Sequence, residues 1–151
     1  MPTYTELASQ LYAADDAWDI AGPQPESRVD EVESKLQVRL PDSYRKFLTD
    51  VGRIEYPNHS YEGIDDDYLH PEYGFGTFTR LLRKNNDLPD GLFVLESDHD
   101  ADEIACLDLN QMENSECPVI WYHVYNNKTS GPCNDSFDSF FRNLVDSWVN
   151  M

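Results

Sequence analysis

From Asp102 to Tyr125 the chain reads DEIACLDLNQMENSECPVIWYHVY, two apolar runs joined by a polar connection. The first run, Ile104 to Leu109, is apolar on both parities. The second, Val119 to Tyr125, alternates: Ile120, Tyr122 and Val124 fall on one side, Trp121, His123 and Tyr125 on the other. A period of two is the period of a strand. The pattern predicts a strand pair at the centre of a sheet, with one face against helices and the other carrying aromatics towards something else.

Around this pair the apolar positions recur at helical spacing. Thr3 with Glu6 fits a capping box, and Tyr4, Leu7, Ala8, Leu11 and Tyr12 then form the stripe of a first helix. Gly22-Pro23-Gln24-Pro25 ends it, and a second helix opens near Glu26 with Val29, Val32 and Leu36 on one face. Pro41 and Asp42 suit the first turn of a third helix carrying Tyr44, Phe47, Leu48 and Val51, and Gly52 stops it. Residues 53–73 are mixed, with room for short strands. Phe78, Leu81 and Leu82 predict a short helix within residues 74–86.

Pro89-Asp90-Gly91 then turns the chain into a strand over residues 92–96, so that strands 92–96, 103–109 and 118–125 form an antiparallel meander. The segment NNKTSGPCN reads as a polar connection. After it, Asp135 or Ser136 caps a last helix in which Phe137, Phe140, Phe141, Leu144, Val145 and Trp148 give the most regular stripe in the chain, assigned to the core. The whole reads as one α+β domain over residues 1–151, a mainly antiparallel sheet with helices packed on one face. At this length a core needs no metal or disulfide.

Charge changes the picture. The 29 acids and 11 bases give −18, and the excess is uneven: residues 85–151 hold thirteen acids and two bases, or −11, whereas residues 28–84 are nearly balanced at −2. Such a field repels nucleic acid and anionic lipid and attracts basic proteins or cations, so neither nucleic acid nor a membrane is expected as a partner. The opening MPTYTELASQLY has no basic and apolar leader pattern and no run reaches transmembrane length, which together predict a cytoplasmic protein. In that setting Cys106, Cys117 and Cys133 are expected as reduced thiols, although Cys106 and Cys117, on neighbouring strands, are near enough in the predicted sheet for a disulfide to stay open.

Candidate chemistry is sparse. Asp98, Asp100 and Asp102 open like a calcium loop, but Glu103 stands at the glycine position and Leu109 where a bidentate Glu is needed. They are read as a solvated acidic turn able to contact a partner's Lys or Arg, and Asp65, Asp66 and Asp67 as another. The four histidines lack metal-ligand spacing, and no phosphate loop or nucleophile elbow is present. No cofactor, metal or catalytic residue is expected. Trp121 and Tyr125, at alternate strand positions beside acidic loops, suit interface anchors; parity alone equally allows that they cover the helices instead.

Residues 26–52, ESRVDEVESKLQVRLPDSYRKFLTDVG, resemble the opening of the SUKH superfamily: a helix with an acidic residue, a Leu-Pro, then an aromatic-rich helix ending before Gly. Cys106-Leu107-Asp108 and Cys117-Pro118-Val119 are similar to its central strands, and SFDSFFRNL to its closing helix, with the order of elements kept from Glu26 onward. Residues 1–25 then form an N-terminal helix and linker ahead of the family core. The resemblance is nearest to the bacterial YobK-like branch and departs over residues 53–75, where RIEYPNHSYEG replaces a Gly-rich turn. It implies a non-catalytic binding domain: bacterial relatives are immunity proteins that neutralise polymorphic or contact-dependent toxins, often nucleases, and fungal relatives are signalling adaptors. The expected function is therefore occlusion of a cognate toxin domain with a basic surface, and the competing one an intracellular adaptor for endogenous proteins. Asp65, Asp66, Asp67, Asp98, Asp100, Asp102, Trp121 and Tyr125 are the expected contacts.

Overall fold

The computed structural model describes residues 1–98 and 102–151. The first helix, α1 (Tyr4–Ala14), starts where the Thr3 hydroxyl accepts from the Glu6 amide at 3.1 Å, which satisfies one of the amides that a helix start leaves bare. Its stripe buries Tyr4, Leu7, Ala8 and Leu11, while Tyr12 lies past the edge of that face and is exposed. After a two-residue strand β1 (Asp19–Ile20), helices α2 (Glu26–Leu36) and α3 (Asp42–Asp50) are each entered from an extended proline, Pro25 and Pro41. Proline's fixed φ matches that conformation. Gly52, at φ +81°, turns the chain out of α3, with its N–H on the Phe47 carbonyl.

The mixed segment that follows is a hairpin of β2 (Ile54–Tyr56) and β3 (His59–Tyr61), with Asn58 at φ +69° in its turn. Helix α4 (Thr77–Asn86) leads to β4 (Leu92–Val94), β5 (Glu96–Asp98), β6 (Glu103–Asp108), β7 (Val119–His123) and β8 (Lys128–Asn134). The chain closes with α5 (Phe137–Val149), where Ser136, rather than Asp135, is the cap and completes a capping box with Ser139.

The strands form two antiparallel sheets, in the orders β1-β2-β3-β5 and β4-β6-β7-β8. The single strand predicted over residues 92–96 is divided between them at Leu95. Its N–H donates to the Ala105 carbonyl at 2.9 Å in the second sheet, and its carbonyl accepts from the Glu62 amide at 2.7 Å beside the first. The segment read as a polar connection, NNKTSGPCN, contains β8. Among the described residues that strand has a neighbour on one side only, its first five residues are solvent-exposed, and its pairing with β7 is interrupted between Val119 and Trp121. An edge strand with Gly131 and Pro132 inside it shows neither apolar alternation nor β-propensity.

Alternation in the second sheet separates two cores. Phe93, Leu95, Ala105, Leu107 and Val119 join α1, α3 and α5 in the main core, which includes Tyr4, Tyr44, Phe47, Phe137 and Phe141. Leu92, Val94, Ile104, Cys106, Ile120 and Tyr122 turn the other way and are covered by Phe78, Leu82 and Leu88, on and just after α4. Most helices thus lie on one face of the sheet, and α4 closes the other. This double cover explains why Ile104 to Leu107 is apolar on both parities. No described helix is long and apolar enough to cross a membrane.

Candidate partner-binding cleft

Between the β2–β3 hairpin and α4, residues 62–75 fold back on themselves and enclose a cleft of about 460 Å³. Its frame is made of backbone. The Gly74 amide donates to the His70 carbonyl and the Phe75 amide to the Tyr68 carbonyl, each at 2.8 Å, while the Thr77 hydroxyl donates to the Gly74 carbonyl at 2.6 Å. A Cβ on Gly74 would lie 2.4 Å from the His70 carbonyl oxygen, so the turn closes only around glycine.

Arg53 forms one wall. Its Nε donates to Asp65 at 3.0 Å, and its guanidinium also meets Asp19 at 3.6 Å and Glu55. Asp65 in turn accepts from the Asp67 amide at 2.8 Å, which sets the turn of the acidic triplet. Arg53 is therefore already matched by carboxylates. The mouth carries Asp67 and Glu72, and among the described residues the lining holds no cation besides Arg53.

Glu62 stands at the inner end. The residue is 6% exposed and its Oε1 accepts from the Gly76 amide at 2.5 Å, just where α4 begins. Oε2 accepts no hydrogen bond from the described residues. Burial pushes the carboxyl up from 4.5 to about 8; the Gly76 hydrogen bond and the Arg53 charge hold it lower than burial alone would, and the Asp65 charge adds to the rise. Above it the rim is apolar and exposed: Tyr73 is 64% exposed with its ring stacked on His70 at 3.5 Å, and Leu81 is 45% exposed.

The residues expected from sequence are divided by the fold. Asp65 and Asp67 line the cleft. Asp66 points outward, its side chain 95% exposed and 3.1 Å from Arg28. Asp102, Trp121 and Tyr125 lie elsewhere, at the β6–β7 pair. Asp102 is exposed and its carbonyl accepts from the Val124 amide, and Tyr125 is 84% exposed. Trp121 does not stand free: it is half-buried against the main core, paired with Ala105 on one side and Ser130 on the other. Asp98 ends β5 opposite His59, and Asp100 lies outside the described residues.

Sequence reasoning passed over Glu62, Tyr73 and Leu81. The available signal was a single acid in the apolar context Tyr61-Glu62-Gly63-Ile64, since an unpaired acid in such a run is either buried for a reason or marks a turn. All three cysteines are free thiols. Cys106 sits in the core under α4 and Cys117 in the main core, on opposite sides of the sheet, and burial pushes both thiols up to about 12.

Comparison with known families agrees with the architecture. The model of the SUKH_5 family, described as SMI1-KNR4 cell-wall, matches residues 5–148, which takes in α1 as well as everything from α2 to α5.

Proposed function

Because the chain belongs to this SUKH family, we propose that it is an immunity protein, which binds a cognate toxin domain with a basic surface and neutralises it by occlusion. The observation that carries the reading is the cleft: carboxylates at the mouth, a buried carboxyl inside, and Tyr73 and Leu81 exposed on the rim, in a chain of net charge −18. Acidic groups speed encounter with a basic partner, and exposed aromatic and aliphatic side chains hold it once water is excluded. An interface of about 1,600 Å² would be of ordinary size for such a complex. The role needs no catalysis, cofactor or metal.

The test is expression with the toxin domain encoded beside the gene. Cells carrying both should survive, and the purified pair should form a stable one-to-one complex. Survival of cells that make the toxin domain alone, with no complex in vitro, would overturn the reading. The second reading is an intracellular adaptor for endogenous proteins. An adaptor would capture several endogenous proteins and have no toxin gene beside it.

A further inference from the structure

We propose that the cleft is a receptor for one arginine side chain of the partner protein, whose guanidinium reaches Glu62 at the inner end. The inference rests on the binding-protein reading and adds the group that is recognised. Glu62 is a nine-tenths buried carboxyl that lines the cavity, has one oxygen committed to the Gly76 amide and leaves the other for what enters. The second oxygen is open to the cavity and makes no hydrogen bond to the described residues, so an entering donor can take the place of water there.

The walls select the donor. Phe75, Phe78 and Leu81 offer apolar surface for an aliphatic stem, and Tyr73 offers a ring face at the mouth. The fixed cation of the lining, Arg53, is already held by Asp19, Glu55 and Asp65, which leaves Asp67 and Glu72 to attract a second positive charge. An anionic occupant would be repelled by Asp67 and Glu72, and a neutral one would gain nothing from their charge. Arginine is favoured over lysine because its guanidinium is planar, stacks on aromatic rings and is more weakly hydrated, so it enters a partly dry cleft at lower cost. A volume of 460 Å³ is at the smaller end of ligand sites, adequate for one long side chain.

Binding is coupled to a proton. The groups facing Glu62 are the Gly76 amide at the start of α4, Arg53 and Asp65 across the cleft, and Tyr44 from α3, whose hydroxyl donates to the Glu62 carbonyl at 2.8 Å. With the carboxyl pushed to about 8, the empty cleft at neutral pH holds mostly neutral Glu62. Entry of a guanidinium favours the carboxylate, and the carboxyl proton leaves to solvent. Only the ionised fraction is competent, so the arginine affinity should be about fifteenfold higher at pH 8 than at pH 6.5.

The probe is the peptide acetyl-Gly-Arg-Gly-amide, titrated into the full ¹⁵N-labelled chain with the citrulline peptide as the neutral isostere. The expected result is a saturable shift of the Gly76 and Tyr73 amides with arginine and none with citrulline, tighter at the higher pH. Glu62→Gln, checked for folding by circular dichroism, should lose both the binding and its pH dependence. The exposed Glu72→Lys, which leaves Glu62 in place, should weaken binding severalfold while keeping the pH profile. Equal shifts with citrulline, no shift of either amide, or unchanged binding by Glu62→Gln would overturn the proposal. Toxin protection that persists when the peptide fails to bind discards the cleft and leaves the immunity reading intact; peptide binding without protection does the reverse.

Discussion

The Gly76 amide donates to the Glu62 carboxyl across 2.5 Å, so α4 begins on a carboxyl supplied from fourteen residues earlier in the chain. A carboxylate at a helix N-terminus matches the free amides and the positive end of the helix dipole. Burial works against that charge, and here burial is the larger effect, since the carboxyl is pushed up to about 8. The cap is thus mostly a neutral acid at neutral pH.

The first prediction follows from the sign of that shift. Below pH 4.5 Glu62 is protonated in both folded and unfolded chains. Between 4.5 and 8 the unfolded chain loses the proton and the folded one keeps it, so the contribution of Glu62 to stability falls as pH rises and levels off above 8. Glu62→Gln removes the titration. Urea unfolding at pH 6 and pH 9 should show the wild type losing about 3 kcal/mol relative to the variant over that interval. Parallel pH profiles for the two proteins would mean that Glu62 is ionised in the native state.

Gly76 itself is the second. It sits at φ +85°, and a Cβ there would approach Leu36 Cδ1 to 2.9 Å. The Leu36 methyl can yield by a rotamer change, so the backbone is the main cost, about 1–2 kcal/mol for a non-glycine residue in the left-handed region. Gly76→Ala should lower the urea midpoint accordingly. Because it keeps the amide, the variant should still show the pH dependence of the Glu62 carboxyl.

Tyr4 links the first and last helices. Its ring meets Phe47, Phe137 and Phe141 edge-on at 5.5–6.5 Å, and its hydroxyl donates to Asp138 at 2.7 Å. Arg142 lies over the same ring at 5.5 Å and donates to Asp138 at 3.1 Å. Tyr4→Phe keeps the packing and leaves Asp138 with Arg142, so it should cost about 1 kcal/mol, the net worth of one hydrogen bond. Tyr4→Ala should cost about 3–5 kcal/mol, as for a buried aromatic. Chemical denaturation of the two variants separates the hydroxyl from the ring.

Elements whose stability comes from their own residues were legible in the sequence. The α5 stripe from Phe137 to Trp148 and the Thr3 cap of α1 are local patterns with local causes. The division of residues 92–98 at Leu95 was not legible, because it depends on two partners, Ala105 and Glu62, that are distant in the chain. Strand β8 is polar because one of its edges meets water, and polarity reads as a loop. The acidic triplet at Asp65 was visible as charge, but its union with Arg53, Glu62 and Tyr73 arises from tertiary folding of residues 53–75.

Trp121 and Tyr125 separate packing from recognition. Parity places both on one side of β7, yet Trp121 is half-buried against the main core and Tyr125 is 84% exposed beyond the end of the strand. Trp121→Ala should therefore cost about 3 kcal/mol of stability, the lower part of the range for a large aromatic, and any loss of partner binding will follow from that. Tyr125→Ala should change stability by less than about 0.5 kcal/mol, as surface substitutions do. Its partner affinity is thus directly interpretable. If the cleft is the main contact, Tyr73→Ala should weaken the toxin complex by at least about thirtyfold, the usual threshold for an anchoring side chain, whereas Tyr125→Ala should leave it within twofold. Calorimetry on the three variants, each shown to be folded, decides between the surfaces: loss confined to Tyr125→Ala would move the interface to the β6–β7 end.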